Sequence, residues 1–190
     1  MIAFLVSTFL GCSGDGLGSV TTADDAPWSM NDAVTFLFTP GPDNNGRVGT
    51  GVLAISTDAS HDCGDVETGP PSAGSGLWFE VGYDTGRSEG AASPAWDGLY
   101  ASGEVRAEAT DASRSLSFNG WHQGFVYSFE NSDAWLNVSH GSQNKFQGRF
   151  ATDWWSGEFD AKVCPKAPNP DEGSSDDDDP AGGEDTGSAG

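Results

Sequence analysis

The chain has 190 residues, with 29 acidic against 8 basic side chains and a formal net charge of −21, a length that fits one ordinary domain with tails. The charge excludes a nucleic-acid binder, because neutralising phosphates takes clustered Lys and Arg, and it excludes electrostatic attraction to anionic lipid for the same reason. Only 36% of residues are hydrophobic, yet 7 Trp, 11 Phe and 3 Tyr supply large apolar areas to a core.

In chain order, Met1 to Leu10 is an apolar or small run without a charged side chain. It is too short to span a bilayer, which takes about 20 apolar residues, and it fits the apolar region of a secretory signal. Phe9-Leu10-Gly11-Cys12 closes the run, and Ser13, Gly14 and Asp15 follow. A small residue before a Cys at this point resembles the lipobox of bacterial lipoproteins. That resemblance implies a signal peptide over residues 1–11, cleavage before Cys12 and lipid on its sulfur, with a polar tether over residues 12–31. The alternative is a buried first strand that contains a cysteine. With Cys12 lipidated, Cys63 and Cys164 remain as a pair among three cysteines, in an exported compartment that permits disulfides. Closing a loop of about 100 residues stabilises by roughly 4–5 kcal/mol on the chain-entropy account; the alternative is two free buried thiols.

Residues 32–165 follow a period of two. Val34, Phe36 and Phe38 alternate with Thr35, Leu37 and Thr39, and Val48–Ser56 is apolar on both faces, as a central strand is. Leu77, Phe79 and Val81 oppose Trp78 and Glu80. Val105, Ala107 and Ala109 oppose Glu104, Arg106 and Glu108. Trp121, Phe125, Tyr127 and Phe129 oppose His122, Val126 and Ser128, read as one strand. Leu136 and Val138 oppose Trp135, Asn137 and Ser139; Phe146 and Phe150 oppose Gln147 and Arg149; Trp155, Phe159, Ala161 and Val163 oppose Ser156, Glu158, Asp160 and Lys162. Such alternation marks half-buried strands, separated here by Gly-, Pro- and Asn-rich turns. No window carries a helical stripe. The expectation is an all-β fold: a single antiparallel β-sandwich or small barrel with one disulfide, flanked by disordered tails. Strand Trp155–Val163 then delivers Cys164 to the sheet end, beside the loop of Cys63. Beyond it, residues 166–190 hold Asp171, Glu172, Asp176, Asp177, Asp178, Asp179, Glu184 and Asp185 against Lys166. No Val, Ile, Leu or aromatic side chain accompanies them, which predicts a solvated acidic tail.

The strand ending Val52-Leu-Ala-Ile-Ser56, the Asp-rich loop with Asp58, Asp62 and Cys63, the later Gly148-Arg-Phe-Ala151 and the closing Gly157-Glu-Phe-Asp-Ala-Lys-Val-Cys164 are similar to a broad set of uncharacterised lipoproteins of myxobacteria and related bacteria. These end their β-domain in a Gly-x-Phe-x-Ala-x-x-Cys-like strand. The resemblance implies location and architecture and carries no catalytic residue.

Residues able to do chemistry are few. Gly86-Arg-Ser88-Glu-Gly90 matches the hydrolase nucleophile elbow, which needs a helix after the Ser, and Gly90-Ala-Ala-Ser-Pro94 breaks a helix. His61, Asp62 and Cys63 beside Asp58, Asp65 and Glu67 are metal-ligand types, but a structural zinc needs four ligands at set spacing. A polar loop around a disulfide is expected instead. His122 and His140 stand alone near strand ends. Glu158 and Asp160 begin a two-carboxylate glycosidase pattern whose third acidic position is Val163, so both are expected as solvated strand residues. No catalytic residue, metal or cofactor is expected. Trp78 and Trp135 fall on the polar sides of their strands, where an exposed indole offers a flat face to a sugar ring or a surface protein. The alternative is that both cover a sheet edge or lie beneath the loops 57–75 and 83–95. The sequence therefore leads to a non-enzymatic cell-envelope protein, held to the membrane through its lipid or secreted, with a glycan- or surface-ligand-binding module as the alternative.

Overall fold

The computed structural model describes residues 16–30, 34–43, 48–68, 73–84, 96–102, 114–129, 132–142 and 144–165. Cys12, Ser88, the expected strand around Val105–Thr110 and the acidic tail 166–190 lie outside the described residues.

Ten strands and one short helix form among them: β1 (Leu17–Thr22), β2 (Thr35–Asp43), β3 (Val48–Ser56), α1 (Cys63–Thr68), β4 (Ser75–Asp84), β5 (Gly98–Ser102), β6 (Arg114–His122), β7 (Phe125–Ser128), β8 (Ala134–Ser142), β9 (Lys145–Thr152) and β10 (Trp155–Val163). They make one sheet in the order β5-β8-β9-β10-β2-β3-β4-β6-β7, with β1 added on β10. Neighbours are antiparallel except at one seam. There Lys162 and Val163 of β10 run parallel to Leu37 and Phe38 of β2, and the Cys164 N–H donates to the Phe38 carbonyl at 2.7 Å. The expected all-β class holds, and the parallel seam is an addition that strand periodicity does not reveal.

The sheet curls so that its inward side chains meet. Phe36, Phe38, Leu53, Ile55, Leu77, Phe79 and Val81 come from one half, and Leu136, Val138, Phe146, Phe150 and Phe159 from the other. Each such side chain contributes roughly 1.5–3 kcal/mol by leaving water. Rings lock the halves together: Phe38 of β2 stacks on Phe146 of β9 at 3.6 Å between centroids, and Phe79 of β4 meets Phe150 of β9 at 5.5 Å. Strand β5 approaches β6 through side chains. Arg114 donates to the Tyr100 hydroxyl at 2.7 Å, and that hydroxyl donates to the Trp96 carbonyl at 2.9 Å. The result is a curled half-barrel.

Two expectations are corrected. Residues 12–31 are not a polar tether throughout: Leu17–Thr22 pairs with β10 along all six residues, while Trp28 and Met30 are buried in the core at 6% and 0% exposure. The polar sequence of β1 is held by its backbone ladder, which side-chain polarity does not forbid. Second, Trp121 to Phe129 is two strands. Gln123 and Gly124, with φ of 50° and 84°, make a two-residue turn that reverses the chain. As a result Trp121 faces one side of the sheet, while Phe125 and Tyr127 face the other beside His122.

Candidate functional site

The outward faces of the sheet fall into two regions, and each holds one of the tryptophans singled out above. Over β2, β3, β4 and β6 the outward residues Leu37, Ala54, Trp78 and Trp121 are covered by Val66 of α1 and by Cys164. The cover is fastened covalently. Cys63, at the start of α1, is bonded to Cys164 with a Cα separation of 5.4 Å across 101 positions of sequence. The pairing expected from the cysteine count is therefore present. Gly76 belongs to this packing, since a Cβ there would strike the Trp121 ring and the Ile55 carbonyl.

Trp78 is consequently 8% exposed and offers no face to a ligand. The reason is local: the outward position of β4 that period two marks as polar lies under the disulfide-tied helix. His61, in the same loop, is 3% exposed and meets Trp121 edge-on at 5.8 Å. Neither of its ring nitrogens has a partner among the described residues. Burial lowers its pKa below the ordinary 6.5, against the opposing pull of Asp65, Asp58 and Asp62. Asp58 accepts from both the backbone N–H and the hydroxyl of Ser60, which holds its carboxyl below the usual range. Asp62 accepts from the Gly64 N–H at 2.8 Å, and Asp65 from the Asp62 N–H at 3.0 Å. These carboxylates are engaged in turning the chain into α1, and no group of three or more metal-ligand side chains occurs among the described residues. The loop brings these turn-forming carboxylates around the Cys63–Cys164 bond.

Of the other histidines, His122 stacks on Trp28 at 5.6 Å and shares a 2.6 Å hydrogen bond with the Ser75 hydroxyl. His140 is exposed on β8.

The second region is open. Over β8, β9, β10 and β1 lies a shallow groove of about 510 Å³, lined among others by Leu17, Asn137, Gln147, Arg149, Glu158 and Asp160. Strand register builds it in rows. Asn137 stands opposite Arg149, Arg149 opposite Glu158 and Glu158 opposite Ser19; Gln147 stands opposite Asp160 and Asp160 opposite Leu17. Arg149 and Glu158 form an ion pair at 2.8 Å with both side chains largely in water. Trp135 is half-buried on the same face, one outward position along β8 from Asn137, or about 7 Å. Its row continues through Ala151 and Ser156 to Thr21.

Trp135 and Trp78 do not converge, since β9, β10, β2 and β3 lie between their strands. What does converge is a set of amide, guanidinium and carboxylate groups, and Trp135 stands one outward position along β8 from the nearest of them, Asn137. Glu158 and Asp160 are placed outward, as the alternation of β10 requires, Glu158 in the row of Asn137 and Arg149 and Asp160 in the row of Gln147 and Leu17. Sequence reasoning named Trp135 as a ligand candidate and Glu158 with Asp160 as solvated strand residues, without joining the two. It missed their union because neighbours in different strands are set by register, and it missed Leu17 because β1 reads as tether. The volume lies in the range of small-ligand sites, and the lining brings several polar groups together, with Trp135 outside it on the same face.

No helix among the described residues is long and apolar enough to cross a membrane. No family model matches the chain, and neither a curated protein nor a solved structure is significantly similar to it.

Proposed function

We propose that the chain is a lipid-anchored, non-enzymatic β-domain of a bacterial cell envelope that displays the β8–β9–β10 face to its surroundings. The observation that carries the reading is the Cys63–Cys164 bond. It suits an oxidising compartment and leaves Cys12 as the remaining cysteine of three, at the end of a short apolar run. Acylation at Cys12 with more than one chain would hold the domain stably, since a single chain binds only marginally. The net charge of −21 keeps such a domain soluble and off anionic head groups. The test is processing in the presence of globomycin. A precursor should accumulate, and Cys12→Ser should move the protein from the detergent phase to the aqueous phase. Unchanged processing together with unchanged partitioning would remove the anchor.

The groove favours a second reading within the same placement, a glycan-binding module. A sugar ring offers an apolar face to an indole and hydroxyls that each donate and accept, and the row Asn137, Arg149, Glu158 carries donors and acceptors side by side. Trp135 takes the stacking role here, and Trp78 takes none. Retention on insoluble neutral polysaccharide should fall at least tenfold in Trp135→Ala with the fold intact. A wild-type protein that no polysaccharide retains would end this reading while leaving the anchor untouched.

A further inference from the structure

From Ser115 to Phe129 the chain has no Asp, Glu, Lys or Arg, although its net charge is −21. This uncharged stretch takes in β7 and all of β6 after Arg114. On β7, Phe125 is 70% exposed, Val126 62% and Tyr127 40%. Scattered exposed apolar side chains are ordinary; three consecutive ones on a terminal strand are not. Among the described residues β7 ends the strand order, and no strand pairs its far edge. Natural edge strands of this kind usually carry a charge, a Pro or a bulge that blocks further pairing, and β7 carries none.

The backbone phase follows from the turn. In a two-residue hairpin the residues flanking the turn exchange hydrogen bonds, and bonded and non-bonded pairs alternate from there. His122 pairs with Phe125 and Gly120 with Tyr127, so these are the bonded positions. Val126 and Ser128 therefore turn their N–H and C=O groups away from β6, towards the open edge.

We propose that this edge pairs with the same edge of a second copy of the chain, antiparallel, about a two-fold axis at Val126. Antiparallel pairing sets outward-bonding residues opposite each other. Val126 then faces Val126 of the second copy and exchanges two N–H···O bonds with it, while Phe125 faces Tyr127 of the second copy, twice by symmetry. Aromatic pairs across non-bonded positions are among the favourable cross-strand contacts. The charge distribution fits, since two uncharged hairpins meet and the acidic groups of both chains stay outside the contact. A bilayer is the poorer occupant, because insertion would strip water from the outward N–H and C=O of Val126 and Ser128 and offer no partner. The area sets the strength. Three side chains per copy bury on the order of 650 Å² in total, below the 1,200–2,000 Å² of a stable interface, so the dimer is weak and concentration-dependent.

The test is sedimentation of the full chain carrying Cys12→Ser, from micromolar to millimolar protein at low and at high salt. The wild type should pass from monomer to dimer, severalfold more tightly at high salt because repulsion between the acidic chains is screened. Val126→Pro removes the outward N–H without touching a bond to β6, and it should abolish the dimer with near-ultraviolet dichroism unchanged. If that variant unfolds, Val126→Lys serves the same purpose. Val126→Cys should cross-link spontaneously into a dimer, its Cα atoms lying about 5.5 Å apart in this register, and Ser115→Cys should not. A wild type monomeric throughout, including one captured instead by zwitterionic vesicles, would overturn the proposal. So would a dimer that survives both Val126→Pro and Val126→Lys.

Discussion

The two outward faces of the half-barrel start from the same strand chemistry and end differently. Trp78 on β4 and Trp135 on β8 both occupy outward positions among polar neighbours. Over Trp78 the chain returns as Val66 of α1 and Cys164, tied down at Cys63, and makes a second small core with Leu37, Ala54 and Trp121. Over Trp135 no described segment returns, and the face remains a groove of polar side chains. A strand's period decides which side of the sheet a residue takes. Whether that side meets water is decided by what the connecting segments and the disulfide lay across it.

The largest effect that can break this contrast is removal of the staple. Replacing both Cys63 and Cys164 by Ser should cost roughly 4–5 kcal/mol from restored freedom of the loop they close, read as a lower urea midpoint. If the bond alone holds the cover, the indoles of Trp78 and Trp121 should also become solvent-accessible before global unfolding, seen as red-shifted emission or acrylamide quenching. A cover held chiefly by Val66 packing would unfold together with the core and show no separate phase. Next in size comes the pair of tryptophans. Trp78→Ala leaves a cavity beneath α1 and should cost about 3–5 kcal/mol, whereas Trp135→Ala, at a half-buried position, should cost about 1 kcal/mol or less. Equal costs would remove the distinction between a covered face and an open one.

Much of the fold was legible because inward residues repeat every second position. Leu77, Phe79 and Val81, Leu136 and Val138, and Phe146 and Phe150 all lie inside as the alternation requires. Cys63–Cys164 was legible because lipid on Cys12 would leave two cysteines of three, and Cys164 ends a strand whose course is plain. Four features were not. β1 has only Leu17 and Val20 as apolar residues, and its ladder with β10 is a backbone property that polar side chains conceal. The Gln123–Gly124 turn sits between aromatic residues whose spacing mimics one continuous strand. Trp78 looked exposed because nothing in β4 itself announces a six-residue helix arriving from the Cys63 loop. The groove depended on register, which brings Asn137, Arg149 and Glu158 into one row from three strands.

A smaller effect should appear with pH. Burial lowers the pKa of His61 in the folded protein below 6.5, while in the unfolded chain its imidazole takes up a proton near 6.5. As pH falls below that value the unfolded state gains a proton that the folded state resists. Stability from His61 is thus fully present above about 6.5 and is lost as pH falls towards its folded pKa. Urea midpoints measured from about pH 7.5 down to about 5.5 should decline, and His61→Phe should flatten the decline. The carboxyl of Asp58, whose pKa lies below 3.8, titrates beneath this window and does not obscure it. A slope unchanged in His61→Phe would place the proton uptake on another group.

The smallest effect on stability belongs to the open face. Arg149 and Glu158 meet at 2.8 Å, but their side chains are 69% and 63% exposed, and exposed pairs of this kind contribute about 0–1 kcal/mol. Arg149→Ala should therefore shift the urea midpoint hardly at all. Glycan retention should respond far more, because the substitution removes the donor between Asn137 and Glu158 and leaves Glu158 facing the ligand without its partner. An Arg149→Ala protein as stable as the parent, and retained as well as the parent, would mean that the row is ordinary solvated surface. One as stable but released would mean that the side chains of this face are placed for contact with a ligand, the reverse of Trp78, whose removal is felt by the fold.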